Sequence, residues 1–127
     1  MTARITARPT SAELEILQVL WRSGPSTVRA VHEALGADTG YTTVLKLMQI
    51  MAEKGLLTRD TNERSHVYHP ASAEEQTKKR LVHDFLDKAF RGSAKDLILQ
   101  ALSTRKASRE DLAEIRKMIE EIEKGKQ

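Results

Sequence analysis

Residues Tyr41–Lys54, with the sequence YTTVLKLMQIMAEK, carry the clearest structural pattern in this 127-residue chain. At 100° per residue, Val44, Met48 and Met51 fall on one apolar face of a helix, and Leu47 lies beside them. Gly55 follows directly and ends the pattern, since glycine readily adopts the left-handed conformation that closes a helix. The polar side and one flank of this predicted helix carry four candidate contact residues: Thr42, Thr43, Lys46 and Gln49.

Two shorter helices are predicted before this one. Thr10-Ser11-Ala12-Glu13 is a capping box, in which a hydroxyl and a carboxylate satisfy free amides of the first turn. Apolar residues then recur at helical spacing as far as Trp21, and Gly24-Pro25 ends the helix. A second helix is predicted over about residues 27–35, and a loop at residues 36–40 leads into Tyr41.

A hairpin is predicted after the third helix. Its strand candidates are residues 56–59 and 65–69, and the turn-rich Asp60-Thr61-Asn62-Glu63 separates them. Three helices followed by a hairpin are the order of a winged helix-turn-helix. In helix-turn-helix proteins the second helix of the motif enters the DNA major groove, so Tyr41–Lys54 is the predicted recognition helix. Arg64 and His66 of the hairpin are two further candidate DNA contacts.

After Pro70 the pattern is helical throughout, beginning with a second capping box at Ser72-Ala73-Glu74-Glu75. The predicted fold class is therefore mainly α: a winged-helix DNA-binding domain, residues 1–70, and an all-helical domain, residues 71–127. Each of the last three helices carries an apolar stripe, and a segment this short buries little apolar surface alone. A second copy of the chain is the simplest partner, and a twofold dimer is the closed solution. The predicted dimerisation residues are Leu81, Phe85, Leu86, Phe90, Leu97, Ile98, Leu102, Leu112, Ile115, Ile119 and Ile122.

The composition excludes several classes of protein. The absence of cysteine rules out disulfides, thiolate metal sites and cysteine nucleophiles, and the 4% of aromatic residues argues against a base-stacking single-strand binder. A net charge of +3 permits nucleic-acid binding without requiring it. His66 and His69 lie three apart on a strand, hence on opposite faces, and no phosphate-binding or nucleophile motif occurs. We expect no enzyme activity, cofactor, metal site or membrane insertion, and a cytoplasmic location.

Taken together, the ordered motifs resemble the BlaI/MecI penicillinase-repressor family along nearly the whole chain. The matching segments are Glu13-Leu14-Glu15-Ile16-Leu17, Leu20-Trp21, Gly24-Pro25-Ser26-Thr27-Val28, Tyr41-Thr42-Thr43-Val44, Glu53-Lys54-Gly55-Leu56, Arg64, Val67-Tyr68 and Phe90-Arg91-Gly92-Ser93. The resemblance implies a dimeric winged-helix transcriptional repressor that occupies operator DNA. It places Thr42, Thr43 and Lys46 at base- and backbone-contacting positions and Arg64 on the wing.

The resemblance also implies a mode of control. In that family a membrane sensor-protease acts upstream, and the repressor is cut at an Asn–Phe bond in its dimerisation region. The matching pair here is Gln100-Ala101, so the sequence leaves open whether proteolysis releases this chain and whether a β-lactam signal controls it.

A dimeric repressor bound to a near-palindromic operator is the leading interpretation, and two alternatives stay open. A regulator of the MarR kind would share the winged helix and respond to a small molecule. A protein-interaction adaptor would use the winged helix without DNA, and the mild net charge favours it slightly.

Overall fold

The computed structural model describes residues 8–36, 38–62 and 66–125. Within these ranges six helices and a two-stranded sheet follow one another as α1 (Ser11–Ser23), α2 (Val28–Leu35), α3 (Tyr41–Lys54), β1 (Leu57–Asp60), β2 (Val67–Pro70), α4 (Glu74–Phe90), α5 (Ala94–Thr104) and α6 (Arg109–Glu123). The chain divides into two compact units between Leu81 and Val82, inside α4. The predicted class, a winged helix-turn-helix followed by helices alone, is confirmed.

Side-chain caps set the starts of most helices. The Thr10 hydroxyl accepts a hydrogen bond from the Glu13 amide at 3.2 Å, and the Glu13 carboxylate accepts one from the Thr10 amide at 2.9 Å. The predicted capping box of α1 is therefore present, and it satisfies two donors that a helix start leaves free. Single hydroxyl caps begin three further helices, at Thr27 for α2, Ser93 for α5 and Ser108 for α6.

The predicted capping box of α4 was wrong. A cap at Ser72 would start the helix at Ala73, whereas α4 begins at Glu74. The Ser72 hydroxyl instead accepts a hydrogen bond from the Arg80 guanidinium at 3.1 Å. The Ser72 hydroxyl thus bonds a side chain two turns along the helix, and not a backbone amide of its first turn.

The hydrophobic core lies in the first unit, among α1, α2, α3 and the hairpin. Helix α3 contributes Val44, Met48 and Met51, all completely buried, and so supplies the face that its periodicity predicts. The other buried apolar residues are Ile16, Leu17, Val19, Leu20, Val28, Val31, Leu56, Leu57 and Tyr68. Because these side chains come from every element before α4, the first unit has a core of its own.

The hairpin β1–β2, called the wing below, is antiparallel and pairs Arg59 with Tyr68. Both strands begin later than predicted, and Pro70 ends β2 opposite Leu57 rather than following it. Ser26, in the loop between α1 and α2, adds a one-residue bridge to Tyr68. The Ser26 amide donates to the Tyr68 carbonyl at 3.1 Å, and the Tyr68 amide donates to the Ser26 carbonyl at 2.8 Å. The wing is thereby fastened to the helix-turn-helix.

The second unit consists of the end of α4 together with α5 and α6. The rings of Phe85 and Phe90 meet edge to face with centroids 5.5 Å apart. Residues 82–125 nevertheless contain no buried side chain. This unit therefore leaves its apolar stripes accessible to water. No helix in the described parts of the chain is long and apolar enough to cross a membrane.

Replacing Leu20 should test the core of the first unit. Leu20 is 1% exposed, so Leu20→Ala should lower the free energy of unfolding by about 2–5 kcal/mol, through lost transfer energy and a residual cavity. Urea unfolding followed by circular dichroism at fixed protein concentration measures this. Gln18→Ala, an exposed position on the same helix, is the control and should change stability little. Equal effects of the two substitutions would contradict this location of the core.

Candidate nucleic-acid interface

The outward face of α3 gathers the four residues that the sequence singled out on this helix. Thr42, Thr43, Lys46 and Gln49 are all exposed, while Val44, Met48 and Met51 are buried on the other side. Hydroxyl, ammonium and amide groups can donate to phosphate oxygens and to base edges, and a threonine methyl can contact the methyl group of thymine. The face is therefore chemically suited to a DNA groove along its N-terminal and middle turns.

The N-terminus of α3 has no side-chain cap. Gly40 occupies the cap position and makes no side-chain hydrogen bond. The first amides of this helix are therefore left to solvent or to an external acceptor, and phosphate oxygens are acceptors of that kind.

Tyr41 opens the same turn, and our sequence analysis did not select it. Its side chain is 45% exposed, and its ring meets His32 of α2 edge to face, with centroids 5.7 Å apart and planes at 84°. The contact holds an exposed aromatic residue beside Thr42 at the junction of α2 and α3. An aromatic residue at the first position of an otherwise outward-facing turn was the available signal.

The wing contributes the second set of candidate contacts. His66 is exposed and immediately precedes β2, and Arg59 is exposed on β1. Arg64 lies outside the described residues. A shallow groove of about 640 Å³ runs between the C-terminal half of α3 and β1; its lining is Gln49, Ala52, Glu53, Leu57, Thr58, Arg59 and Thr61. Gln49 thus belongs both to the outward face of α3 and to this groove.

The C-terminus of α3 is held by two features. Gly55 takes the left-handed conformation with φ at 87°, which turns the chain sharply from the helix into Leu56, Leu57 and the wing. The ammonium of Lys54, the last residue of α3, donates to the Glu13 carboxylate of α1 at 2.8 Å. Glu13 is 3% exposed. The sequence indicated only a capping role for Glu13, because nothing local in it links residues 13 and 54.

Charged groups elsewhere form exposed pairs along α4. The pKa of Lys78 is raised above its usual 10.5, first because Glu74 accepts a hydrogen bond from it and then because of the charge of Glu74. The Nδ1 atom of His83 lies 3.7 Å from the Oδ2 atom of Asp87, one turn further along the helix. Within the described residues, no cluster of three potential ligands could hold a metal ion.

The predicted dimerisation residues remain partly or largely open to solvent. Phe85, Ile98 and Ile119 are each about half exposed, at 55%, 48% and 47%. Leu102 and Ile122 are also exposed, while those of intermediate burial are Leu81, Leu86, Phe90, Leu97, Leu112 and Ile115. Three large apolar side chains outside the predicted dimerisation set are exposed as well: Val82, Leu99 and Met118.

Similarity to known proteins identifies the family of this chain. Residues 9–121 match the family described as "Penicillinase repressor". The chain belongs to the penicillinase repressor family. Its relatives include the transcriptional regulator BlaI of Mycobacterium tuberculosis, 34% identical over 116 residues, which are 89% of this chain and 83% of that protein. The penicillinase repressor of Bacillus licheniformis is 25% identical over 112 residues, which are 87% of this chain and 88% of the relative.

A solved structure supports the fold. The transcriptional regulator Tm0710 from Thermotoga maritima aligns with a TM-score of 0.52 at 20% identity, covering 90% of this chain and 73% of that one. The family and its relatives are transcriptional regulators. This family member is accordingly a transcriptional repressor and not an enzyme, as the sequence predicted.

Substitution of Gly55 should test the turn between α3 and the wing. Because φ is 87° there, Gly55→Ala should lower the free energy of unfolding by about 1–2 kcal/mol, the cost of left-handed backbone in residues with a Cβ. Gly55→Asn is the matched control, since asparagine tolerates that region better, and it should cost less. Urea midpoints for the two variants decide the matter, and equal losses would show that φ is not the cause.

Proposed function

We propose that this protein is a dimeric DNA-binding repressor that occupies a near-palindromic operator. The outward face of α3 would read the bases, and the wing would contact the DNA backbone. Residues 1–70 would form the DNA-binding part and residues 71–127 the dimerisation part. Such a protein acts where the DNA is, so we propose a cytoplasmic location.

The observation that carries the DNA-binding half of the proposal is the polarity of α3. One side is completely buried, and the other carries Thr42, Thr43, Lys46 and Gln49 beside a helix N-terminus that has no side-chain cap. With its side chains an α-helix is about 10–12 Å across, which fits a major groove about 12 Å wide, and the 14 residues of α3 give it a length of about 21 Å along that groove. Exposed Arg59 and His66 extend the polar surface onto the wing.

The observation that supports the dimer is the lack of any buried side chain in residues 82–125. Apolar area left in water is unfavourable by about 25 cal/mol per Å², so half-exposed side chains such as Phe85, Ile98 and Ile119 favour association. The same stripes on a second copy would cover them, and a twofold axis lets one patch pair with itself. Two recognition helices in that arrangement would face two half-sites about one DNA turn apart.

The proposal does not include release by proteolysis at a fixed bond. Gln100 and Ala101 stand in α5 where the resemblance places the Asn–Phe bond of the family, and both are exposed. A signal from a membrane sensor-protease would therefore need another bond or another route.

Selection from a random-sequence duplex pool should test the DNA-binding half. We expect the full chain to enrich a motif with dyad symmetry. Lys46→Ala should then weaken binding to the enriched duplex about tenfold or more, because a base-edge contact contributes about 1–3 kcal/mol. Lys117→Ala, which removes an exposed lysine from α6, is the control.

Two results would contradict this half of the proposal, and a third would identify a different mode of control. If the wild-type chain enriched no motif, the protein-interaction adaptor would be favoured. If Lys46→Ala bound as tightly as the control, our location of the reading face would be wrong. If a small molecule in a thermal-shift screen raised the melting temperature and released the duplex, control would be of the MarR kind.

Sedimentation should test the dimer. At micromolar concentration we expect the wild-type chain to sediment as two copies. Ile119→Glu should shift it toward one copy, because a carboxylate would enter the apolar stripe of α6. Lys117→Glu introduces the same residue on the polar side of α6 and should leave the dimer intact. A wild-type chain found only as one copy would overturn the dimer.

A further inference from the structure

Glu13 is the one charged side chain that is buried in the described parts of the chain. It lies in the first turn of α1, and its Oε1 atom accepts two hydrogen bonds. The Thr10 amide donates one at 2.9 Å, and the Lys54 ammonium donates the other at 2.8 Å. The second bond joins the first turn of α1 to the last residue of α3, 41 positions away.

The Glu13 carboxylate is 3% exposed and the Lys54 side chain 32%, and an ion pair with a buried carboxylate is an expensive way to gain stability alone. Removing a carboxylate from water costs several kcal/mol, and apolar replacements of such pairs are often equally stable. What an ion pair adds to apolar packing is direction, because a hydrogen bond constrains angle as well as distance. The Glu13–Lys54 pair therefore contributes most plainly to the position of α3 relative to α1.

The other contacts between α3 and the core are mainly apolar, and such contacts constrain direction weakly. Its three completely buried residues are Val44, Met48 and Met51, and two of these are methionines. Methionine side chains adapt to many shapes and specify a packing geometry weakly. Apolar contact, which also includes the partly buried Leu45, Leu47 and Ala52, keeps α3 against the core, and the Glu13–Lys54 hydrogen bond adds a directional constraint to it.

Lys54 lies at the C-terminus of α3, so a change of helix direction there displaces the distant N-terminal turn most. It is the last residue of α3, and Gly55 turns the chain into the wing directly after it. Thr42 lies 12 residues away, about 18 Å along the helix axis at 1.5 Å per residue. A tilt of about 5° at Lys54 would therefore move the N-terminal turn by about 1.5 Å, which exceeds the tolerance of a preorganised contact.

We propose that Glu13 and Lys54 are positioning residues for DNA recognition: the hydrogen-bonded pair of buried Glu13 and partly exposed Lys54 sets the orientation of α3 and of the wing that follows it. This inference rests on the proposed function, since it assumes that α3 reads a duplex. Neither residue contacts DNA. The pair acts on specific recognition, which needs accurate placement, and leaves alone the non-specific attraction to phosphates, which needs only charge.

The test compares two duplexes at one salt concentration. One is the duplex enriched by the wild-type chain from a random pool, and the other is a scrambled duplex of the same length and composition. Lys54→Met removes the ammonium, Lys54→Arg retains a positive donor, and Glu13→Gln removes the charge while keeping an oxygen for the Thr10 amide. Lys78→Met is the matched control, because it removes the same charge from an exposed pair with Glu74.

Lys54→Met should lower affinity for the enriched duplex about tenfold, the loss expected when a base-edge contact is misplaced. Affinity for the scrambled duplex should change less than about twofold, and the slope of log affinity against log salt should stay as in the wild type. Lys54→Arg should recover most of the loss, and Glu13→Gln should fall between. Lys78→Met should leave the ratio of the two affinities unchanged. Circular dichroism and the fluorescence of Trp21, the single tryptophan, check that each variant is folded at the assay temperature.

Four other outcomes would contradict either the positioning role of the pair or the proposed function. If folded Lys54→Met and Glu13→Gln kept the wild-type ratio of affinities, the inference would fail while the proposed function stood. A parallel loss on both duplexes would make Lys54 a phosphate contact and would also refute positioning. Failure of both variants to fold would assign the pair a purely structural role. If the wild-type chain enriched no duplex, the proposed function itself would fall.

Discussion

The burial of one face of α3 is the constraint on which the rest of the first unit depends. Val44, Met48 and Met51 close the core that α1 and α2 begin, so this helix cannot turn its other side inward. Helices of 8 to 14 residues are marginal in water by themselves and persist through tertiary packing. The packing that stabilises the fold is therefore also what turns a row of threonine, lysine and glutamine side chains toward the solvent.

Local signals in the sequence predicted the helices of the first unit well, and the reason is physical. The periodicity of α3 and the glycine after it are both contained within Tyr41–Gly55, and the observed helix has the predicted bounds. The capping box of α1 is equally local. The strands were less well placed, because two short strands show little alternation and pairing in a neighbouring strand decides where each begins.

Interactions between residues distant in the chain could not be predicted from the sequence. The bridge between Ser26 and Tyr68 pairs one residue with a strand and leaves no repeating pattern. Glu13 has a complete local explanation as a cap, which hides its second bond to Lys54. Of the proposed DNA contacts, the α3 positions follow from helical geometry. Tyr41 was missed because its support comes from His32 on another helix.

The exposed apolar side chains of the second unit would make such a regulator sensitive to its own concentration in a cell. Residues 82–125 have no buried side chain, so under the proposed dimer the concentration of the active species would follow the square of the free monomer concentration. Promoter occupancy would then fall more steeply than dosage when the protein is diluted by growth or removed by turnover. Graded loss of the polypeptide would become a sharper change in transcription, with no ligand and no chemical modification required.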